Sequence, residues 1–236
     1  MYKIDPHTHS LVSGHAYNTI KEMAEAACKK GMEVLGITEH GPKMITLTTD
    51  EYFMNFMAID RNSYGTHLLM GAEANIIDYD GNLDLPDYIL ENLDIVITSM
   101  HWQCYTAGSR KENTKAAIKA IEKPYTVIMG HPDDGKFPLD YEEVVKAAKE
   151  NNVLLEVNNG SLLPKSFRKD GKKHCIEMLN ECERQHAHIV VSSDAHSDTA
   201  VGEVSYAERL LHDMQFSKEL IVNEDRMKFD SFLKRL

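Results

Sequence analysis

A pair of histidines near the start of the chain has the spacing of metal ligands. Residues 4–9 read IDPHTH, and in an extended strand residues two apart point to the same side. His7 and His9 therefore present two imidazoles together, which is half of a typical zinc site. The Asp5 carboxylate is expected to orient one of the two rings through its far nitrogen. The alternative is a short polar N-terminus with solvated histidines.

Residues of the same types recur wherever apolar segments of the chain end. Six predicted strands are followed by candidate ligands, and the full set is His7, His9, His15, His40, Glu73, His101, His131, Asp194 and His196. Each residue alone is explained as well by a turn or a helix N-cap. A single shared site explains all of them at once. One zinc ion takes about four ligands, so the set fits two or three ions, and imidazole with carboxylate suits Zn, Mn or Fe.

These residues need a scaffold that brings strand ends together, and the hydrophobic pattern predicts one. Strands are expected at residues 2–9, 33–38, 67–73, 93–99, 125–129, 153–158 and 188–192, and helices at 18–30, 49–62, 109–122, 141–151, 172–186, 201–213 and 224–236. A hairpin is expected within 74–86 and a short strand or turn at 217–222. Seven strand–helix units predict an α/β fold, a TIM-like barrel with its chemistry at the carboxyl ends of the strands. A doubly wound open sheet is the alternative, but it gathers ligands at one switch point.

Composition limits the class of protein. The 236 residues are 42% hydrophobic, enough for one substantial core, and the net charge of -11 disfavours sequence-independent binding of nucleic acid. The four cysteines lack a Cys-x-x-Cys spacing and are interpreted as reduced thiols. We find no charged-then-apolar leader and no apolar run of about 18 residues, so we expect a soluble cytoplasmic protein without membrane partners.

The motifs resemble those of a known family, the PHP (polymerase and histidinol phosphatase) family. The match comprises DPHTH at residues 5–9, TEHG at 38–41, GAEAN at 71–75, His101, IMGHP at 128–132 and SDAH at 193–196. It covers nearly the whole chain and is strongest with the small bacterial phosphatases of the family. The resemblance implies one domain over residues 1–236, a distorted seven-stranded barrel and three divalent cations, zinc first, with manganese or iron as alternatives. One departure is Glu39, where the family more often has Asp; this residue would support a ligand.

The resemblance also implies ligand sets and chemistry. The first ion would be bound by His7, His9, Glu73 and Asp194. The second would be bound by His101, His131 and Glu73, which bridges it to the first. The third would be bound by His15, His40 and His196. A water activated by metal would attack the phosphorus of a small phosphomonoester, which makes the chain a phosphatase. Glu73 and Asp194 are the expected catalytic carboxylates.

Two residues outside the ligand set are candidates for contact with the substrate. Arg168, in the loop after the strand that ends without a strong ligand, is expected to clamp the phosphate. A solvated surface arginine is the alternative. Trp102, the only tryptophan, either forms a wall of the pocket or packs against the barrel rim.

Three other functions compete with the phosphatase hypothesis. Amidohydrolases also begin a barrel with His-x-His, but they use a carboxylated lysine where this chain has His101. A phosphodiesterase or exonuclease of the same fold is disfavoured by the acidic charge and the lack of a basic patch. A non-enzymatic metal-binding module would need only about four ligands. The sequence leaves open the oligomeric state and the phosphorylated compound.

Overall fold

Seven parallel strands form one sheet in chain order. The computed structural model describes residues 2–233, and its strands are β1 (Ile4–Thr8), β2 (Val34–His40), β3 (His67–Asn75), β4 (Ile95–Ser99), β5 (Ile128–Met129), β6 (Leu154–Asn158) and β7 (Ile189–Ser192). The sheet closes where Thr8 forms a parallel bridge with Ala195 and the His9 N–H donates to the Ala195 carbonyl at 2.9 Å. The expected seven-stranded α/β barrel is confirmed. Its distortion lies in this narrow closure and in the two-residue β5.

The helices between the strands agree with the predicted periodicity in most places. They are α1 (Ile20–Lys29), α2 (Asp50–Met54), α3 (Asp87–Leu90), α4 (Arg110–Ile121), α5 (Tyr141–Glu150), α6 (Gly171–Gln185), α7 (Ser205–Asp213) and α8 (Arg226–Asp230). Thr19 and Ser109 begin α1 and α4 with capping boxes, in which each hydroxyl accepts a backbone N–H and a glutamate three residues on accepts in return. Such a cap contributes about 1 kcal/mol. Among residues 2–233, no helix is long and apolar enough to cross a membrane.

Three predicted elements differ in the structure, and a fourth agrees. The helix expected from 201 begins only at Ser205, because Gly202 has a left-handed φ of 68° and separates it from a short 3-10 turn. The helix expected at 49–62 is one α-helical segment followed by a 3-10 turn. The segment 217–222, expected to be a short strand or turn, contains a 3-10 turn and one bridge between Ile189 and Ile221. The helix expected at 224–236 is helical at Arg226–Asp230, and its last three residues lie outside the described part of the chain.

Two layers of different character fill the barrel. Near the amino ends of the strands the inner layer is apolar and comprises Ile4, Val34, Leu69, Ile95, Ile97, Val127, Ile128, Leu154 and Val190, covered by Val222, Phe229, Phe232 and Leu233. Because side chains alternate along a strand, residues two or four positions further on share the same face. Glu73 follows Leu69 in this way, and Glu156 follows Leu154. The same faces that form the apolar floor therefore direct polar side chains inward at the carboxyl end.

Candidate metal centre

The nine predicted ligands lie together at the carboxyl end of the barrel. Glu73 is at their centre, and its two carboxylate oxygens are within 3.5 Å of five imidazoles: Oε1 is 2.7 Å from His131 and 3.3 Å from His101, and Oε2 is 2.8 Å from His40, 3.3 Å from His7 and 3.5 Å from His9. Asp194 Oδ1 is 3.3 Å from His9 Nε2 and 3.6 Å from His7 Nε2. His15 and His196 complete the set with their Nε2 atoms 2.9 Å apart. Residues separated by almost two hundred positions therefore form one cluster.

The facing nitrogens of His15 and His196 lack a proton to share. The His15 Nδ1 faces the Ser13 carbonyl at 3.1 Å, and the His196 Nδ1 faces the Asp194 carbonyl at 2.9 Å. A carbonyl only accepts, so in the neutral rings both Nδ1 atoms carry the hydrogen and both Nε2 atoms present lone pairs. Two lone pairs 2.9 Å apart repel each other. A cation bound to both nitrogens turns that repulsion into ligation.

His101 shows the same pattern against a carboxylate. Its Nδ1 faces the Asn75 Oδ1 at 2.7 Å, and the Asn75 amide nitrogen donates to Asp84 Oδ2 at 2.6 Å, so the amide oxygen must accept from the ring. The His101 lone pair then lies 3.3 Å from Glu73 Oε1. The buried ring nitrogens of His40 and the buried Glu73 Oε2 form no hydrogen bond among the described residues, although His40 Nδ1 lies 2.8 Å from Glu73 Oε2. Buried polar atoms are normally satisfied, so these atoms have the environment of metal ligands.

Three overlapping groups have ligand atoms that lie within 4.8 Å of one another: His7, His9 and Asp194; His40, Glu73 and His101; and His9, His40 and His196. The first group lies within one ion set implied by the family resemblance. The other two groups differ from the implied sets. One places His40 with Glu73 and His101, and the other places His9 with His40 and His196. Ligand atoms of a tetrahedral zinc ion are ~3.3 Å apart, and the contacts of 2.7 to 3.6 Å in the cluster are close to this spacing. The donor types and spacing fit divalent cations.

The electrostatics of the cluster favour its ligand forms. Burial, with neighbouring imidazoles, holds the pKa of His9 well below its usual value and lowers that of His15 to about 4. Burial alone would raise the pKa of Glu73 and Asp194, but the surrounding histidines outweigh it and hold both well below their usual range. Neutral imidazole and ionised carboxylate are the forms that bind metal. His7 differs, because Glu156, Glu73 and Asp194 outweigh burial and raise its pKa, so a cation would have to displace its proton.

Glu156 on β6 is the site residue that sequence reasoning missed. Its fully buried carboxylate accepts from His7 Nδ1 at 2.6 Å, from the His131 backbone N–H at 2.6 Å and from the Ser192 hydroxyl. The contact to His131 holds a residue with a strained φ of 27°. The sequence pattern predicts a strand that ends without a strong ligand. The missed signal was a charged residue at an inward position of an apolar strand.

The expected role of Asp5 is wrong. The pairing of β1 with β2 shifts register between Asp5 and Thr8, so the two-residue alternation does not continue to the histidines. Asp5 instead accepts from the Ser193 backbone N–H at 3.1 Å, the Ser193 hydroxyl at 2.5 Å and the Gly202 N–H at 2.8 Å. It ties the loop after β7 to β1, while Glu156 orients His7.

Glu39 supports ligands, as expected for this position. Its buried carboxylate accepts from Ser13 Oγ at 2.6 Å and from the backbone N–H of Ser10 at 3.1 Å. With its proton directed to Glu39, Ser13 Oγ accepts from the His40 backbone N–H at 3.1 Å and from His9 Nδ1 at 3.2 Å. One carboxylate therefore positions two imidazoles through a single serine.

Arg168 is part of the site rather than a solvated surface residue. Its side chain is 11% exposed and donates from Nη2 to Asp194 Oδ2 at 2.9 Å, and from Nη1 to Asn158 Oδ1 at 2.9 Å and Ser161 Oγ at 3.1 Å. Arg168 thus fixes the face of Asp194 opposite the histidines. It also lines a cleft of about 390 Å³ above the cluster, together with Trp102. Trp102 forms a wall of this cleft and is 69% exposed.

A parallel barrel with buried imidazoles and carboxylates at the carboxyl ends of its strands is an arrangement typical of metal-dependent hydrolases. The model of the PHP domain matches residues 5–162. A probable phosphatase of Clostridium novyi is 42% identical over 233 residues, with 99% of this chain and 95% of the relative covered. A probable phosphatase of Acetivibrio thermocellus is 41% identical over 234 residues, with 99% and 96% covered. The chain belongs to the PHP family, and it is a hydrolase of the phosphatase class.

A solved structure shares the fold. Histidinol phosphate phosphatase from Lactococcus lactis, solved in complex with zinc, L-histidinol and phosphate, superposes with a TM-score of 0.63 at 19% sequence identity. The match covers 92% of this chain and 95% of that chain. At this identity, the likeness supports the barrel architecture alone.

Proposed function

We propose that the protein is a metal-dependent phosphatase that hydrolyses a small phosphomonoester at a centre of three divalent cations. The observation that supports this most is the set of ring nitrogens whose lone pairs face each other or face a carboxylate. The ligands would be the nine residues of the cluster, from His7 to His196. Zinc is proposed first, with manganese or iron as alternatives, because imidazole and carboxylate suit all three ions.

Divalent cations bound in the cluster would lower the pKa of water and neutralise charge on phosphate oxygens. The residues of the chain supply orientation. Glu156 and Asn75 fix the rings of His7 and His101 through their Nδ1 atoms, and Ser13 fixes His9. Such outer contacts raise ligand basicity and hold the rings in place.

Arg168 is proposed to bind the phosphate while it holds Asp194. Its guanidinium lies between Asp194 and the cleft that the substrate would enter. A guanidinium matches the geometry of two phosphate oxygens and keeps its charge at every relevant pH. A phosphate bound there would lie directly above the cluster.

The test is release of phosphate by the zinc-loaded protein from a panel of mono- and diesters. We expect turnover of phosphomonoesters, loss of turnover after chelation and recovery on adding metal. Two variants at the cluster, His131→Ala and Asp194→Ala, should lose activity, whereas Glu122→Gln, at a surface carboxylate paired with Lys119, should retain it. Equal activity of wild type and cluster variants, or cleavage of diesters only, would overturn the proposal.

A further inference from the structure

The cleft above the cluster has an apolar mouth. Three large apolar side chains line it while exposed to solvent: Trp102 at 69%, Phe167 at 86% and Leu163 at 43%. Single exposed apolar residues are normal on a protein surface. Several gathered at the entrance of one concave site mark a place where an apolar ligand group binds.

The loops that present these side chains are held by hydrogen bonds. The backbone N–H groups of Cys104 and Tyr105 both donate to the His101 carbonyl at 2.9 Å, which fixes the turn with Trp102. On the other side, Lys136 Nζ donates to the Phe167 carbonyl at 2.7 Å and the Arg168 N–H to Ser166 Oγ at 3.2 Å. Both rings are therefore exposed on ordered backbone.

The rings of Trp102 and Phe167 lie close in sequence to residues of the proposed phosphate site, so they would contact the part of the substrate next to its phosphate. Trp102 directly follows the predicted ligand His101, and Phe167 directly precedes Arg168. A phosphoryl group held at the cluster and Arg168 leaves its ester oxygen directed towards the mouth. The group attached to that oxygen would then lie within reach of the loop after β4 and the loop after β6, which both line the cleft.

The charged side chains at the mouth limit the charge that a leaving group can carry. Lys136 and Lys165 line the cleft with Asp134, and Lys136 lies 3.8 Å from Asp134. Arg168 and Asp194, which also line the cleft, are paired with each other at 2.9 Å. Lys165, which is exposed, is therefore the excess positive charge among the lysine, arginine and carboxylate side chains of the lining. A positively charged leaving group is therefore disfavoured, while a neutral or negatively charged one is accepted.

We propose that the mouth selects a flat aromatic leaving group, neutral or anionic, and that Trp102 and Phe167 are the residues that select it. This inference rests on the proposed phosphatase function and names its substrate class, aryl-bearing phosphomonoesters. Aromatic rings stack on flat partners through dispersion and quadrupole interactions beyond simple apolar burial.

The test compares two non-hydrolysable probes, benzylphosphonate and cyclohexylmethylphosphonate, on the zinc-loaded protein. The two have the same phosphonate and similar size, but only one has a flat ring. Because Trp102 is the only tryptophan, its fluorescence reports binding directly, and calorimetry gives the affinities. We expect benzylphosphonate to bind about three- to ten-fold more tightly, the range of aromatic stacking. Equal binding, or tighter binding of the cyclohexyl probe, would overturn the inference.

Variants identify the residues responsible. Trp102→Ala and Phe167→Ala should each bring the affinity ratio of the two probes towards one. The matched control is Tyr88→Ala, which removes a 57% exposed aromatic side chain from α3, outside the cleft lining. It should leave the ratio unchanged. A preference that survives in the double variant of Trp102 and Phe167 would contradict the assignment.

Turnover separates this inference from the proposed function. The substrates are 2-phenylethyl phosphate and 2-cyclohexylethyl phosphate, whose leaving alkoxides have similar reactivity. A preference for the phenyl ester in kcat/KM supports both proposals. Selective binding of benzylphosphonate without turnover of any phosphomonoester would refute the proposed function and leave the aromatic subsite standing. Turnover of both esters at equal kcat/KM would refute the subsite alone.

Discussion

The two ends of the barrel are built from the same strands but are stabilised in different ways. At the amino end, Leu69, Leu154 and Val190 pack with Phe229 into a layer that is complete in itself. Each such side chain contributes about 1.5–3 kcal/mol by burial. At the carboxyl end, Glu73 is equally buried but faces imidazoles, and one of them, His101, directs a lone pair towards it. Under the proposed function, we expect the amino end to be stable without a ligand, whereas the carboxyl end would need cations to satisfy its polar atoms.

The strongest way to test this contrast is to alter the centre of the cluster. Glu73→Gln keeps the volume of the side chain but removes the charge within 3.5 Å of five imidazoles. We expect phosphatase activity to fall at least about 10³-fold, because both metal binding and transition-state electrostatics depend on this carboxylate. Initial rates with saturating zinc measure it. Activity within ten-fold of wild type would show that Glu73 is not a ligand.

A truncation at the opposite end should have the opposite signature. Phe229 is fully buried in the apolar layer, and Phe229→Ala should lower the free energy of unfolding by about 3–5 kcal/mol. Urea unfolding measures the loss. At a temperature where the variant remains folded, its kcat should stay within about two-fold of wild type, since the side chain touches no ligand. A large drop in kcat without unfolding would mean that the two layers are coupled.

A substitution of Glu156 tests whether a residue within a strand orients a metal ligand. Glu156→Gln weakens the contact that orients His7, so we expect zinc affinity to fall about 10- to 100-fold, the usual effect of losing such a partner. Competition with a chromophoric chelator measures the affinity. The control is Glu150→Gln, at an exposed residue of α5, which should bind zinc normally. If both variants bind zinc equally, Glu156 has only a packing role.

Acid should weaken the carboxyl end in the metal-free protein. Burial lowers the pKa of four cluster imidazoles, with that of His15 at about 4, whereas carboxylates raise the pKa of one, His7: the four are His9, His15, His101 and His196. Between about pH 6.5 and 4 these four groups bind more protons in the unfolded chain than in the folded one, so their contribution to the free energy of unfolding falls as the pH falls. Thermal unfolding across this range measures the effect.

Substitution of one titrating group provides the check. His15→Asn removes an imidazole with a lowered pKa, so its stability should depend less on pH between 6.5 and 4. The matched control is His212→Asn, at a residue whose side chain is 89% exposed. Identical pH slopes in wild type and His15→Asn would contradict the shifted pKa of His15.

Much of this organisation could be predicted from the sequence, because strand periodicity and strand-end residues are local signals. The barrel and the clustering of His7, Glu73 and Asp194 followed from them. Glu156 was missed because only the ends of strands were considered, whereas alternation also directs residues within a strand into the site. Asp5 was misassigned because a register shift between paired strands is set by tertiary contacts, here the close approach of Pro6 to Gly36, where any Cβ would collide with the Pro6 carbonyl.

The most direct test of the central claim is a zinc-edge anomalous difference map from crystals of the zinc-loaded protein. We expect peaks within the cluster at ~2.0–2.1 Å from ring nitrogens, one of them bound to the Nε2 atoms of both His15 and His196, which would move slightly apart from their 2.9 Å contact. A map with no peak in the cluster, and with the two nitrogens still in contact, would contradict the claim that cations hold the carboxyl end of the barrel together.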